Sequence, residues 1–192
     1  MAKFYFYHSP MNSGKSASII MQIHNLKNKG KKVLVLKPIL DTRDGAFVKS
    51  RALDTKVEAL AINRESDLVS IAEMLKPDVI FVDEVNFLNE CNIEDLSVIV
   101  DKFNISVFAY GLLVDYKSRL FEGSKRAVEL ADSVRELKTS CDKCDNKATM
   151  HLRKVNGRYT FEGESIQVGD VDSYESVCRK CYNEAKNTWL IT

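Results

Sequence analysis

Apolar residues in this chain fall into short, almost unbroken runs separated by segments of helical periodicity. "KFYFY" (3–7), "KVLVLKP" (32–38), "DVIFVDE" (78–84) and "ISVFAYG" (105–111) read as strands. Runs of that length with no polar alternation suit a parallel sheet covered on both faces. Between the first two, Ile19, Ile20, Ile23 and Leu26 recur at helical spacing over 15–29, and Gly30 supplies a stop. The pattern predicts further helices over 66–75, ending before Pro77, and over 93–103, while 38–52 is polar and irregular and reads as a loop. Strand and helix in alternation predict an α/β fold, a parallel sheet flanked by helices. Beyond about residue 137 the texture changes to paired cysteines and short β-like runs ("ATMHLRKV", "RYTFEG", "SIQVGD"), with no long helix until the last dozen residues. A boundary near Lys138 is expected, dividing the chain into 1–138 and 139–192.

The first strand leads into "HSPMNSGKS" (8–16), whose end matches the tail of the phosphate-binding pattern G-x-x-x-x-G-K-[ST], with Ser9 in place of the first glycine. Such a loop needs a strand before it, a backbone able to turn its N–H groups inward, and a helix N-terminus behind it. All three are expected around 3–29. Ser9, Pro10, Met11, Asn12, Ser13 and Gly14 would form the cradle, with Lys15 reaching the β- and γ-phosphates and Ser16 holding Mg²⁺. The exchange at Ser9 matters only if that residue needs positive φ or a bare approach to phosphate. Nucleotide chemistry also needs an acid for the metal at the tip of a buried strand. Asp83 follows Val79-Ile80-Phe81-Val82 in that way, and Glu84 beside it is placed to accept a proton from an attacking hydroxyl. Taken singly, GKS arises by chance and an Asp-Glu pair can be an ordinary polar strand end; together they favour the cradle.

"CDKC" (141–144) and "CRKC" (178–181) are two C-x-x-C knuckles enclosing residues 145–177. Four thiolates in two knuckles suit tetrahedral Zn²⁺, so Cys141, Cys144, Cys178 and Cys181 are expected to hold a structural zinc that staples the base of that loop. A site with no spare ligand position is assigned to structure rather than catalysis. Cys91 is expected to be a small hydrophobe beside a helix.

Composition alters little. The 192 residues carry 28 Lys plus Arg against 27 Asp plus Glu, a formal net charge of +1, which offers no electrostatic reason to expect nucleic acid or an anionic membrane as partner. No export signal or membrane-length apolar run is visible, and thiols kept reduced fit a cytoplasmic location. Of the histidines, His8 is expected to pack or bond to backbone rather than act in acid–base chemistry. His24 and His151 are expected to be structural, with His151 also able to face a ligand. Arg43 and Lys117 either neutralise phosphate charge or are solvated surface residues.

"SPMNSGKS", "DTR" (41–43), "FVDEVNF" (81–87), "YGLLVDYKSRLF" (110–121) and the two knuckles occur in the order found in type II thymidine kinases, the zinc-containing deoxynucleoside kinases, and the chain resembles that family over essentially its whole length. The resemblance implies a RecA-like sheet, ATP with Mg²⁺, transfer of phosphate to thymidine or deoxyuridine, feedback inhibition by dTTP, a homotetramer, and a zinc-held lasso closing over the nucleoside. It implies Asp41 and Arg43 near the sugar and phosphate end of the site. It also implies a thymine pocket walled by Met11, Phe87, Leu112, Tyr116 and Phe121, and lasso contacts from Gln167, Val168, Gly169, Asp170 and Tyr174. The chain departs from the family pattern at Asn86, often Gln, at Tyr116-Lys117, and at Gly169-Asp170, usually Gly-Gly. The rival reading of the same residues is a P-loop ATPase whose zinc module binds nucleic acid, with Glu84 activating water.

Overall fold

The computed structural model describes residues 1–41, 45–50, 53–165 and 173–191. In chain order the elements are β1 (Phe4–His8), α1 (Lys15–Asn28), β2 (Val33–Pro38), β3 (Phe47–Ser50), β4 (Thr55–Glu58), β5 (Leu60–Ile62), α2 (Leu68–Leu75) and β6 (Val79–Val82). A single 3₁₀ turn (Val85–Phe87) leads to α3 (Glu90–Phe103), β7 (Ser106–Gly111), α4 (Glu122–Leu130), β8 (Ser133–Glu136), β9 (Met150–Val155), β10 (Arg158–Thr160), β11 (Ser173–Val177) and α5 (Arg179–Ile191).

Six strands form the central sheet in the order β5-β2-β6-β7-β1-β8, and every pairing in it is parallel. Successive side chains on a strand point to opposite faces, and both faces are buried. Phe4, Phe6, Ile80, Val82, Val107 and Ala109 pack with α2, α3 and α4, whereas Val35, Val79, Phe81 and Tyr110 pack with Ile19, Ile20 and Ile23 of α1. This is why the strands read as continuous apolar runs. On the α1 face a stacked aromatic row crosses three strands, Phe81 on Phe108 and Phe108 on Tyr5, with ring centroids 5.1 and 4.8 Å apart. Tyr7 stacks on Tyr110 at 4.8 Å beside it. Gln22 Nε2 donates to the Tyr110 hydroxyl at 2.6 Å and pins α1 over that row.

The region 38–52 contains more order than its pattern predicts. β3 and β4 form an antiparallel hairpin, and Val48 and Val57 lay its one apolar face against the α1 cluster. Four-residue strands leave too few alternations to register in the sequence. Likewise α4 is two-faced but short and polar on average, with few apolar residues to mark it, and β8 is a four-residue strand at the sheet edge. α3 starts three residues before the predicted 93, where the Asn89 side chain caps it by accepting from Asn92 N. Cys91 lies inside the first turn of α3 and is exposed, not a buried hydrophobe. The run at 165–170 falls, after Ser165, outside the described residues; the third strand of the small sheet is Ser173–Val177. That sheet, in the order β10-β9-β11, packs with α5 around Leu152, Phe161, Val177, Tyr182 and the cysteines.

Candidate active site and zinc centre

Because β1, β2, β6 and β7 run parallel, their C-terminal ends open onto one edge, and the candidate residues leave from that edge. The loop after β1 is closed by its own polar groups. Ser13 Oγ donates to Pro10 O at 2.9 Å, Lys15 Nζ donates to the same oxygen at 3.0 Å, and the hydroxyls of Ser9 and Ser13 meet at 2.5 Å. Positive φ falls on Asn12 (56°) and Gly14 (81°), not on Ser9. The backbone at position 9 therefore asks nothing of glycine, and Ser9 adds a hydroxyl that braces the loop. Gly14 is the N-cap of α1; it makes no side-chain cap bond, and the first turn holds no acid. The leading N–H groups and the positive end of a helix begun in this way are of the kind that receives phosphate.

Two strands away, Asp83 is 5% exposed. Burial raises its carboxyl to about 7, the charge of Glu84 adds to the rise, and the Lys15 ammonium opposes it, with Asp41 a smaller push upward. Asp83 and Lys15 therefore share one electrostatic site. Glu84 itself stands in the left-handed region (φ 51°, ψ 44°) at the head of the 3₁₀ turn. For a non-glycine residue this is strained backbone of the kind that collects at functional positions. Asp41 pairs with Lys37 (Nζ to Oδ2, 3.3 Å), both side chains at most 5% exposed. Lys37 also donates to the carbonyls of Phe47 at 3.0 Å and Gly45 at 3.3 Å. Lys37 belongs to no local motif, although a lysine near the end of an otherwise apolar strand is a signal of a buried partner.

On the other flank, Asn86 Oδ1 accepts from Leu112 N at 2.9 Å, so the shorter amide still holds the glycine loop. Gly111 is needed for that approach: a Cβ there would lie 2.7 Å from Asn86 Oδ1. Phe87 and Phe121 meet edge to face with centroids 6.2 Å apart, and Phe87 N donates to Glu84 O at 3.0 Å. Asp115, given no role in advance, is buried and accepts from Lys117 N and Arg119 N, both at 2.9 Å, shaping the 115–119 turn. Tyr116 is 2% exposed, its hydroxyl donates to Glu162 O at 2.7 Å, and Arg153 lies over its ring. Lys117 Nζ donates to Gly163 O at 2.8 Å. Tyr174 lies on β11 opposite Arg153. Arg43, Gln167, Val168, Gly169 and Asp170 lie outside the described residues.

His8 is half-buried and behaves as expected: its carbonyl accepts from Leu137 N at 2.9 Å, and its ring sits 5.8 Å from Phe6. His24 meets Asn28 on an exposed face of α1. His151 is 3% exposed, and its Nε2 accepts from Met11 N at 3.0 Å.

The sulfurs of Cys141, Cys144, Cys178 and Cys181 lie within 4.8 Å of one another. Cys144 Sγ is 3.7 Å from both Cys178 Sγ and Cys181 Sγ. A tetrahedron with Zn–S bonds of about 2.3 Å has edges of about 3.8 Å, so these four thiols fit zinc and are too far apart for disulfides.

A family model described as thymidine kinase matches residues 2–182. The chain belongs to the thymidine kinase family. It is 41% identical over 184 residues to a thymidine kinase of Streptococcus pyogenes, covering 95% of this chain and 97% of that one. A thymidine kinase of Lactococcus lactis matches with the same identity and coverage. The solved structure of Pif1 helicase from Candida albicans superposes with a TM-score of 0.40 at 15% identity, over 71% of this chain and 36% of that one, a likeness too loose to carry an argument. Among the described residues, no helix is long and apolar enough to cross a membrane.

Proposed function

We propose that this chain is an ATP-dependent thymidine kinase, moving the γ-phosphoryl group of ATP to the 5′-hydroxyl of thymidine, and of deoxyuridine, to give the monophosphate for DNA synthesis. The observation that carries the reading is the opening of the Ser9–Ser16 loop and the Asp83-Glu84 pair onto one sheet edge, with Lys15 acting electrostatically on Asp83. The backbone amides of the loop and Lys15 hold the β- and γ-phosphates. Ser16 and Asp83 would hold the magnesium ion of the nucleotide, which neutralises phosphate charge when bound. Glu84 takes the proton of the 5′-hydroxyl as that oxygen bonds to the γ-phosphorus; the bond from phosphorus to the β,γ-bridging oxygen breaks and ADP leaves. Met11, Phe87, Leu112, Tyr116 and Phe121 wall the base pocket, Tyr174 reaches it from the lasso side, and Asp41 and Arg43 lie at the sugar and phosphate end. Tyr116 and Lys117, bonded to the carbonyls of Glu162 and Gly163, anchor the root of a lasso that contributes Gln167, Val168, Gly169 and Asp170 and keeps water from the phosphoryl group.

In this reading 139–192 is a zinc-stapled unit beside the nucleotide-binding unit 1–138, and the enzyme is a cytoplasmic homotetramer inhibited by dTTP. Incubation with labelled ATP, Mg²⁺ and each deoxynucleoside tests it: labelled dTMP is expected. Phosphate release stimulated by DNA, with no nucleoside product, would instead favour the nucleic-acid-dependent ATPase.

A further inference from the structure

We propose that Ser176 and His151 are positioning residues for the phosphate loop, and that Asp142 ties this clamp to the zinc knuckle. This inference rests on the phosphate-loop reading above. His151 and Ser176 are register partners on β9 and β11, and they hold both backbone polar groups of Met11. Met11 N donates to His151 Nε2 at 3.0 Å, and Ser176 Oγ donates to Met11 O at 2.8 Å.

The peptide unit explains what this achieves. Met11 N and Pro10 O belong to one rigid plane. His151 takes the N–H end of that plane, while its oxygen end receives the Lys15 ammonium and the Ser13 hydroxyl. The next peptide, held by Ser176, runs into Asn12, whose φ is 56°. The clamp therefore fixes both the oxygen where Lys15 rests and the left-handed step that turns the loop inward. His151 can serve as acceptor because it is neutral: burial and then the charge of Lys15 bring its pKa down to about 4.

Ser176 is in turn held by the first knuckle. Its N–H donates to Asp142 Oδ2 at 2.7 Å, and its carbonyl accepts from Asp142 N at 2.8 Å. Asp142 stands between Cys141 and Cys144, and Ser176 stands two residues before Cys178. The thiol cluster thus reaches the phosphate loop through the covalent step from Cys141 to Asp142 and then the hydrogen bonds from Asp142 to Ser176 and from Ser176 to Met11, independently of any lasso over the nucleoside.

The test uses the full, zinc-loaded chain and the affinity for MgADP, read by a fluorescent ADP analogue, alongside zinc content and thermal stability. Asp142→Ala leaves every thiolate in place, and Ser176→Ala removes only a hydroxyl. Each is expected to weaken MgADP binding about three- to tenfold, the loss of roughly one hydrogen bond, while zinc stays stoichiometric. The double variant should match the weaker single rather than the product of the two, and Ser176→Thr should recover most of the affinity. Wild-type affinity in both singles overturns the clamp, and multiplicative losses overturn the link through Asp142. A wild-type chain that binds no MgADP overturns the phosphate-loop reading itself, a distinct outcome.

Discussion

Glu84 combines a proposed catalytic carboxylate with unfavourable backbone, so removing it should separate activity from stability. At φ 51° and ψ 44°, a non-glycine residue costs about 1–2 kcal/mol. Glycine relieves that but gives back about 0.4–1 kcal/mol through the freedom of the unfolded chain. Glu84→Gly is therefore expected to stabilise the nucleotide-free protein by about 0.5–1 kcal/mol, or about 1–4 °C in Tm for a chain of this size. Loss of the Glu84 charge helps, because after burial it is the largest influence holding the Asp83 carboxyl up. Glu84→Gln keeps the strain and loses only the charge, so its Tm should rise less. Both should lower phosphoryl transfer to thymidine by roughly 10²–10⁴. Calorimetry without nucleotide and a dTMP assay read the two effects. Undiminished turnover removes Glu84 from the base role, and a glycine variant less stable than the glutamine variant refutes the strain argument.

Asp83, whose folded pKa is raised to about 7, stabilises the fold at low pH. That contribution is lost as pH rises from the unfolded value near 3.8 through about 7. Binding of Mg²⁺–nucleotide at pH 6 should then expel a proton that Asp83→Asn does not, measured by calorimetry in buffers of different ionisation enthalpy; equal release by both contradicts it. Gly123→Ala would push a Cβ into Val85 O and within 2.7 Å of Leu88 O, displacing the turn that follows Glu84. A loss of about 1–3 kcal/mol and slower turnover are expected, and an unchanged Tm would show that the turn yields freely. Cys178→Ser should lose bound zinc and stability together; a zinc-replete, equally stable variant contradicts the four-cysteine centre.

The central sheet was legible because both its faces are buried, which makes β1, β2, β6 and β7 continuous apolar words. The hairpin β3–β4 and the edge strand β8 are too short to leave a period to read, and α4, though two-faced, has too few apolar residues to stand out. The candidate site was legible where it sits in local motifs: Gly14-Lys15-Ser16, Asp83-Glu84 and the paired cysteines. It was illegible where a contact depends on how the backbone turns or on residues far apart in the chain. Lys37 finds Asp41 only because the chain turns back after β2. Asp115 looks like any loop acid until its two amide bonds are seen. Ser176 reaches Met11 across 165 positions, a contact that no periodicity encodes. Asn86 shows that a shorter amide can still serve, since its partner is backbone drawn close by Gly111.

The account stands on the phosphate loop and the acids at 83–84 serving one metal–triphosphate. Crystals grown with thymidine, Mn²⁺ and a non-hydrolysable ATP analogue would locate the metal by its anomalous scattering. The predicted peak lies between Ser16 and Asp83 against the terminal phosphates, with the thymidine 5′-hydroxyl beside Glu84. Manganese bound away from Asp83, or thymidine seated with its 5′-hydroxyl out of reach of the γ-phosphate, would contradict it.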